Sequence, residues 1–547
     1  MPTPLIHRLY LLALAGVLVS GIARAQLPPP PDPVENPTTA AKAVLGKMLF
    51  FDEQLSSDDT VACGSCHRPA SGGSDPRVAP APGFDGLPGT TDDTNGSPGI
   101  IRSDPDNDFS PDSIFGLGRQ ITQRFSPSFH EAAYFPELFW DGRAPSQFLD
   151  PDTGRVSIAA GGALESQAVG PPVSDVEMAH EARSWGQITA KLAAVTPMKL
   201  ASALTPDIAA ALATSPTYPA LFLVAFGSPG ITSERIAFAI AAYERSLVPN
   251  QTPWDRFTAG DPTALNPTER AGLNLFTGRA GCLRCHGTPL FSDRLFHNIG
   301  LRPSAEDLGR QIVTGNPADR GQMKTPSLRN VGLRPRFMHT GQFSTLRQVV
   351  DFYNRGGDFA DNRDPRIVPL GLTPLERDQI VAFLQRGLTD PRVAAETAPF
   401  DRPRLALETG LGAATFFGRP NAGTAGLTPR WLADSPAHVG APEFKVGVAD
   451  ALGGAAALLG ISLTAGPPGQ TIGGVPVSIG LMPTSAFIPI VLGGSSGVGG
   501  EGFGTVQASI PSAPGLIGRV FFGQWFIQDT GALGGFSTTS GARFELF

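Results

Sequence analysis

The chain has 547 residues, of which 17% are charged, and its formal net charge at pH 7 is −7. A chain of this length is expected to form two to four domains with an ample hydrophobic core. The mildly acidic charge disfavours nucleic acid as a partner, because binding to phosphates depends on basic surfaces.

The first 25 residues carry the pattern of a secretory signal peptide. His7 and Arg8 precede an apolar run over residues 9–22, and Ala23-Arg24-Ala25 forms a small-x-small cleavage site. The run is short for a membrane span, and no later segment offers about 18 uninterrupted apolar residues. We therefore expect export to the bacterial periplasm, with no transmembrane segment in the mature chain. Retention of residues 1–25 as an N-terminal anchor is the alternative.

The first chemical motif follows a proline-rich leader, residues 26–39, which is expected to be extended. Helical periodicity over residues 41–51 leads into Cys63-Gly64-Ser65-Cys66-His67. In this pattern the two thiols bond covalently to a haem, and the histidine is placed to bind its iron. A redox or structural disulfide and half of a zinc site are the alternatives for the paired cysteines.

The same motif occurs again after a long loop, residues 68–118, and helical patterns over residues 188–213 and 232–248. The second copy is Cys282-Leu283-Arg284-Cys285-His286, and the two copies use all four cysteines of the chain. A similar helical run-up precedes both copies. This repetition predicts an internal duplication of a cytochrome c-like unit and two covalently attached c-type haems.

The character of the chain changes beyond about residue 402. Helical periodicity vanishes, and short alternating runs rich in glycine, alanine, serine, threonine and valine are separated by turn signals. We therefore predict a mainly α chain with two helical haem units, residues 40–248 and 249–400. An all-β, sandwich-like domain over residues 401–547 is expected to follow them.

Several short segments between residues 40 and 390 form a specific pattern around the two haem motifs. They are Leu45-Gly46-Lys47-x-Leu49-Phe50-Phe51-Asp52, Phe139-Trp140-Asp141-Gly142-Arg143, Glu165-x-Gln167-Ala168, Ala242-Tyr243-Glu244-Arg245, Lys324-Thr325-Pro326-Ser327-Leu328-Arg329-Asn330 and His339-x-Gly341. With two haem motifs in this order, the pattern resembles the bacterial di-haem cytochrome c peroxidase family, which includes MauG. The resemblance implies an oxidoreductase with a helical haem core.

The resemblance implies that the haem on His67 is the one that reacts with peroxide. Gln167 and Glu177, ten residues apart, match the distal pair of that haem. A carboxylate there can take the proton from the inner oxygen of peroxide and return it to the outer oxygen, so that water leaves. We therefore predict Glu177 as general acid and base, with Gln167 orienting peroxide. Without the motif, Glu177 reads as a surface residue.

Trp140 matches the family tryptophan that lies between the two haems and helps electrons cross. The pair Phe139-Trp140 also reads as part of a hydrophobic core, and both interpretations are compatible.

The second haem has His286 on one side and needs a ligand on the other. Many family members have methionine there, whereas residues 346–353 of this chain place Tyr353 at that position, as MauG-like members do. A phenolate ligand should lower the reduction potential of the iron. The rival ligands are Met323, Met338 and His339, of which the last also matches a residue that contacts a haem propionate.

Two departures from the family pattern concern the first haem and calcium. Many members close the first haem with a loop histidine, but His130 falls on the wrong side of the segment 124–127, so we expect this haem to be five-coordinate. His130 and His180 remain alternative ligands.

The family often has Ca²⁺ between its units, bound by carbonyls matching residues 334–336 and by an asparagine that matches Phe125. Phenylalanine cannot serve as a ligand, which leaves calcium open.

The combined prediction is a periplasmic di-haem peroxidase that reduces hydrogen peroxide to water with electrons from a small cytochrome c or cupredoxin. The alternatives are MauG-like oxidation of a protein substrate, a di-haem electron-transfer protein without peroxide turnover, and a peroxide or redox sensor. The tail beyond residue 400 has no counterpart in the family, and could bind a partner or a surface or stabilise the core.

Overall fold

The computed structural model describes residues 27–547, so the predicted signal peptide and its cleavage site lie outside the described residues. The leader ends at Thr39, whose side chain accepts a hydrogen bond from the Lys42 N–H and caps the first helix. The helices of the first part are α1 (Ala40–Phe51), α2 (Cys63–Cys66), α3 (Ala163–Ala168), α4 (Trp185–Ala194), α5 (Pro206–Thr214), α6 (Tyr218–Phe226), α7 (Ser233–Ser246) and α8 (Pro253–Thr258).

Short antiparallel strand pairs occupy part of the loops in this first region. They are β1 (Ala79–Ala81) with β2 (Thr94–Gly96), β3 (Pro98–Ile101) with β4 (Arg119–Ile121), and β5 (Phe148–Leu149) with β6 (Val156–Ile158). Most of β1 to β4 lies in the predicted loop of residues 68–118. The helical pattern of residues 188–213 is divided between α4 and α5, with Pro197 in the gap, because proline lacks the N–H that a continuous helix needs.

The second region repeats the arrangement of a helix leading into a haem motif. Its elements are α9 (Pro267–Thr277), β7 (Phe296–His297), α10 (Gln311–Thr314), β8 (Met323–Lys324), α11 (Leu346–Arg355), α12 (Pro374–Ala382), α13 (Pro391–Ala394) and α14 (Ala406–Thr409). Its core contains Phe276, Phe291 and Phe383, which pack edge to face or tilted.

One glycine in each run-up helix permits a close crossing with a later helix. A Cβ on Gly46 in α1 would lie 1.8 Å from the Ala239 carbonyl oxygen in α7. In the same way, a Cβ on Gly272 in α9 would lie 2.0 Å from the Gln379 carbonyl oxygen in α12. Only glycine fits such contacts, so the two regions share a packing device as well as a motif.

The C-terminal region is rich in strands. They are β9 (Thr415–Phe417), β10 (Arg430–Leu432), β11 (Phe444–Leu452), β12 (Ala456–Ser462), β13 (Thr471–Ile472), β14 (Val475–Pro476), β15 (Ala486–Val491), β16 (Gly499–Ala508), β17 (Val520–Gln528), β18 (Phe536–Thr538) and β19 (Gly541–Glu545). One sheet has the order β10-β11-β16, and a six-stranded sheet has the order β15-β12-β17-β19-β9 with β18 beside β17. Side chains from both sheets, among them Val448 and Trp525, share one core.

Buried charged groups join the C-terminal region to the first haem region. His438 Nε2 lies 3.1 Å from Asp59 Oδ2, and the ammonium of Lys191 lies 2.8 Å from both Asp59 Oδ1 and Glu443 Oε2. The Lys445 ammonium donates to Asn107 Oδ1 at 2.7 Å. These contacts hold the segment just before Cys63, since Asp59 is four residues upstream of that cysteine.

The outcome for the fold class is mixed. The helices and the strand-rich C-terminal region are present as predicted, but helices make up 28% of the chain, so the expectation of a mainly α protein is not confirmed. The difference arises because long irregular segments surround both motifs. Across residues 27–547, no single helix is long and apolar enough to cross a membrane, whereas α5 and α6 meet that test jointly, with a bend of 100° between them.

Candidate haem sites

The two motif histidines are oriented in the same way. His67 Nδ1 lies 3.1 Å from the Gly73 carbonyl oxygen, and His286 Nδ1 lies 2.9 Å from the Phe291 carbonyl oxygen. Because a carbonyl can only accept, Nδ1 carries the proton and Nε2 is left with its lone pair. Burial also lowers the pKa of both imidazoles, which favours the neutral form that binds metal.

A cavity of about 320 Å³ lies beside the second motif. Cys282, Cys285 and His286 line it together with Tyr353. Most of the remaining wall is apolar, and includes Phe276, Ile299, Leu346, Val350, Leu370 and Leu384. An apolar pocket that presents two thiols and an imidazole on its wall suits a covalently attached haem.

Tyr353 reaches the cavity from helix α11, which begins with a capping box between Thr345 and Gln348. Burial raises the pKa of Tyr353, and the neighbouring Cys285 and Cys282 thiols add to that effect. The phenol is therefore neutral unless a cation lies beside it, and a bound cation such as ferric iron would favour the phenolate. The rival ligands line the same cavity, namely Met323, Met338 and His339.

Glu177 lies within electrostatic reach of the first motif. Burial raises the pKa of both motif thiols, that of Cys63 to about 12, and the negative charge of Glu177 adds to the rise for Cys63 and Cys66. Burial also raises the pKa of Glu177 itself, an effect that the Arg143 guanidinium and the Ser174 hydroxyl oppose. Strand β3 packs closely against the segment that contains Glu177, since a Cβ on Gly99 would lie 1.9 Å from the Val176 carbonyl oxygen.

Gln167 lies in helix α3 and is half-buried. Among the described residues, no hydrogen bond joins its side chain to that of Glu177. The predicted pairing of these two side chains about a peroxide therefore stays a prediction.

Trp140 lies between the two motifs. Its Nε1 donates to the Phe125 carbonyl oxygen at 2.7 Å, and its ring lies 6.2 Å from that of His339 on the wall of the second cavity. Ser126, the residue after Phe125, donates from its hydroxyl to the Cys66 carbonyl oxygen at 3.2 Å. Trp140 therefore contacts a segment that is itself bonded to the first motif.

The two alternative histidines occupy different surroundings. His130 is fully buried, and its ring lies 4.5 Å from Phe129, which in turn lies 5.9 Å from His67. This places His130 behind Phe129 on the His67 side, which does not suit a ligand on the opposite face. His180 holds its Nδ1 against the Glu181 carbonyl oxygen at 2.9 Å.

Comparison with known proteins identifies the family. A family model described as di-haem cytochrome c peroxidase matches residues 40–263. The methylamine utilization protein MauG of Methylorubrum extorquens is 32% identical over 372 residues, which cover 68% of this chain and 84% of MauG. The chain belongs to the di-haem cytochrome c peroxidase and MauG family.

A second relative agrees with this assignment. The cytochrome-c peroxidase IdrP1 of Denitromonas iodatirespirans is 31% identical over 425 residues, covering 70% of this chain and 93% of IdrP1. Among solved structures, a MauG-like protein associated with microbial copper homeostasis has a TM-score of 0.49 and 25% identity, over 71% of this chain and 98% of that protein.

Membership of this peroxidase family implies haem cofactors, and the residues of both motifs fit them. Each motif offers two free thiols and an imidazole whose Nδ1 is engaged by a carbonyl, as iron-binding histidines require. Cys63, Cys66 and His67 would hold the first haem, and Cys282, Cys285 and His286 the second.

The expected calcium site does not fit that ion, because the apolar side chain of Phe125 replaces the asparagine that would supply a ligand oxygen. Phe125 is fully buried and its carbonyl oxygen accepts from Trp140, while the Ser126 carbonyl oxygen accepts from Arg334 Nη2 at 2.9 Å. Calcium needs six to eight oxygen ligands. The Arg334 side chain was missed by the sequence analysis, which considered only backbone carbonyls of residues 334–336.

Proposed function

We propose that this member of the family is a periplasmic di-haem peroxidase that reduces hydrogen peroxide to water at the site of His67. The supporting observation is that Glu177, a carboxyl group with a raised pKa, acts electrostatically on both cysteines of that motif. A haem held there by Cys63, Cys66 and His67 would supply the iron chemistry that activates peroxide. The overall reaction takes up two electrons and two protons and releases two water molecules.

Glu177 moves the proton that the reaction requires. Its carboxylate accepts the proton of one peroxide oxygen and returns it to the other, so that the O–O bond breaks with water as the leaving group. The raised pKa of Glu177 favours the protonated form through which this transfer passes, and the Arg143 guanidinium favours the ionised form. The Gln167 amide is proposed to orient peroxide.

The second site is proposed to handle the electrons. His286 and Tyr353, which line one cavity, would hold the iron of the second haem, and Trp140 offers an oxidisable ring between the two sites. The electron donor is proposed to be a small cytochrome c or a cupredoxin.

A second candidate function is the oxidation of a protein substrate. Tyr353 favours it, because an anionic ligand stabilises oxidised iron and lets the second site store oxidising equivalents. A side chain of a docked protein would then replace the small electron donor.

A rapid-mixing experiment on the haem-loaded protein tests the proposal. We expect Glu177→Gln to lower the second-order rate constant for peroxide by about 10²- to 10⁴-fold, the usual contribution of a positioned acid or base. The matched control is Glu181→Gln, since Glu181 lies four residues further along the chain, is 45% exposed and pairs with Arg102 at 3.1 Å. Equal rate constants for wild type and Glu177→Gln would contradict the proposal.

The same samples separate the two candidate functions. A peroxidase oxidises two equivalents of a reduced small cytochrome c per peroxide. An enzyme that acts on a protein substrate leaves this donor largely reduced and, without its substrate, reacts with peroxide only stoichiometrically, the two electrons coming from the enzyme itself.

A further inference from the structure

Arg334 occupies the layer between the two haem motifs. Its Nη2 donates to the Ser126 carbonyl oxygen at 2.9 Å, and its guanidinium carbon lies 5.5 Å from the centre of the Phe125 ring. The same side chain lines the cavity of the second motif. It therefore reaches from the second haem region into the first.

The fold leaves space for this side chain. Gly72 has φ +62°, and a Cβ there would lie 2.8 Å from Cγ of Arg334 and 2.7 Å from the Asn330 carbonyl oxygen. A larger residue at position 72 would push Arg334 out of its place. The neighbouring Gly73 supplies the carbonyl that orients His67, so the loop that positions the first imidazole also packs against Arg334.

The segment that Arg334 binds is connected to both sites. Phe125 accepts from Trp140, and Ser126 donates to the Cys66 carbonyl oxygen at 3.2 Å. Arg334 thus lies on the chain of contacts that runs from the first motif, through residues 125–126, to the wall of the second cavity.

Arg334 keeps its charge in this position. Burial lowers its pKa to about 10, and the carboxyl group of Glu131 opposes that effect. The guanidinium is therefore protonated at neutral pH. Its charge in turn lowers the pKa of His67 and of His130, which places both imidazoles within its electrostatic reach.

We propose that the Arg334 guanidinium is a built-in cation that takes the place of calcium between the two haem regions. The guanidinium lies against Phe125, the position at which the family pattern has an asparagine ligand, and its charge repels a second cation. A fixed positive charge in this layer favours the reduced state of both sites and so raises their reduction potentials. The part of this inference that concerns potentials rests on the two-haem site of the proposed function.

The calcium part is tested on the haem-loaded wild-type protein. We expect less than about 0.1 calcium per chain after gel filtration, no heat on titration with CaCl₂, and the same unfolding temperature with EGTA or millimolar CaCl₂. One calcium bound per chain, or a shift of the unfolding temperature with EGTA, would overturn the inference. None of these measurements uses peroxide, so failure of the peroxidase proposal would leave this result readable.

The charge is tested by redox titration of three variants. In Arg334→Gln both reduction potentials should move to more negative values, while Arg334→Lys, which retains the charge, should stay near the wild type. Arg543→Gln is the control, because it removes a guanidinium from strand β19, where Arg543 pairs with Glu545 at 2.7 Å, and it should leave both potentials in place. Unchanged potentials in Arg334→Gln, or an equal shift in Arg334→Lys, would contradict a role for the charge.

Discussion

The two Cys-x-x-Cys-His segments are alike in themselves and differ in what the fold places around them. Each histidine holds Nδ1 against a backbone carbonyl a few residues further along, Gly73 or Phe291. The second motif opens onto a cavity that presents a phenol, two thioethers and, besides His286, the imidazoles of His297 and His339. The first has Glu177 within electrostatic reach, while the nearby His130 packs behind Phe129 on the proximal side.

This difference shows how one duplicated unit can acquire two roles. In the proposed function the motif would supply attachment and one iron ligand. Segments far away in the sequence, such as helix α11 or the residues around Glu177, would determine the chemistry. The strand-rich region also contacts the first region, through the buried pair of His438 and Asp59.

The largest expected effect concerns the first site and its pH dependence. Burial raises the pKa of Glu177, so its carboxylate is lost on acidification at a higher pH than that of an exposed glutamate. Since the base must be ionised, kcat/KM for peroxide should fall about tenfold per pH unit below that pKa, or about 100-fold over two units. The measurement is the pH profile of the wild type and of Glu177→Gln, in which this acid limb should vanish. Retention of the limb in the variant would assign it to another group.

The next largest effect concerns the free energy of unfolding, to which the buried carboxylate of Asp59 in the first region contributes. Burial alone would raise the pKa of Asp59, but Lys191 and then His438 outweigh it and lower the pKa to about 2. The folded pKa lies below the unfolded value of about 3.9, so this contribution is complete above about pH 4 and is lost as the pH falls towards 2. Asp59→Asn should therefore cost about 2 kcal/mol at pH 7 and less at pH 3.

Urea unfolding at both pH values measures this contribution. Asp434→Asn is the control, because Asp434 is 42% exposed in its pair with Arg119 and should contribute below about 1 kcal/mol. A loss in Asp59→Asn that does not depend on pH would show that the charge of Asp59 is not what joins the two regions.

The smallest effect concerns the connection between the sites. Trp140→Phe retains an aromatic ring but leaves the Phe125 carbonyl without its donor, at a cost of about 1 kcal/mol or somewhat more. Oxidation of the second site after peroxide addition should become slower, while the initial reaction with peroxide stays at the wild-type rate. Rapid-mixing spectroscopy resolves the two phases. If the second site is oxidised at the wild-type rate in the variant, Trp140 does not take part in electron transfer between the sites.

The sequence predicted what local spacing can encode. The two pentads, their run-up helices and the placement of Tyr353 on a helix facing the second motif follow from periodicity and from the family pattern, and the structure brings Tyr353 to the cavity of His286. Contacts between distant segments could not be predicted in this way. Asp59 and His438 are 379 residues apart, and nothing near either residue signals the pairing.

Arg334 illustrates the same limit at the site itself. An arginine in a loop is usually exposed, whereas Arg334 is half-buried, and its position depends on Gly72, which lies 262 positions earlier in the chain. The low helix content has a similar origin, because the segments that surround the motifs are held by long-range hydrogen bonds rather than by periodic patterns.

Low-temperature electron paramagnetic resonance of the oxidised, haem-loaded protein is the most direct test of two unlike sites. We predict a high-spin signal from the site of His67 and a low-spin signal from the site of His286 and Tyr353. Stoichiometric peroxide should remove both, and Tyr353→Phe should alter the low-spin signal alone. Two low-spin signals that do not respond to peroxide, in the wild type and in the variant, would show that the two sites are not unlike in this way.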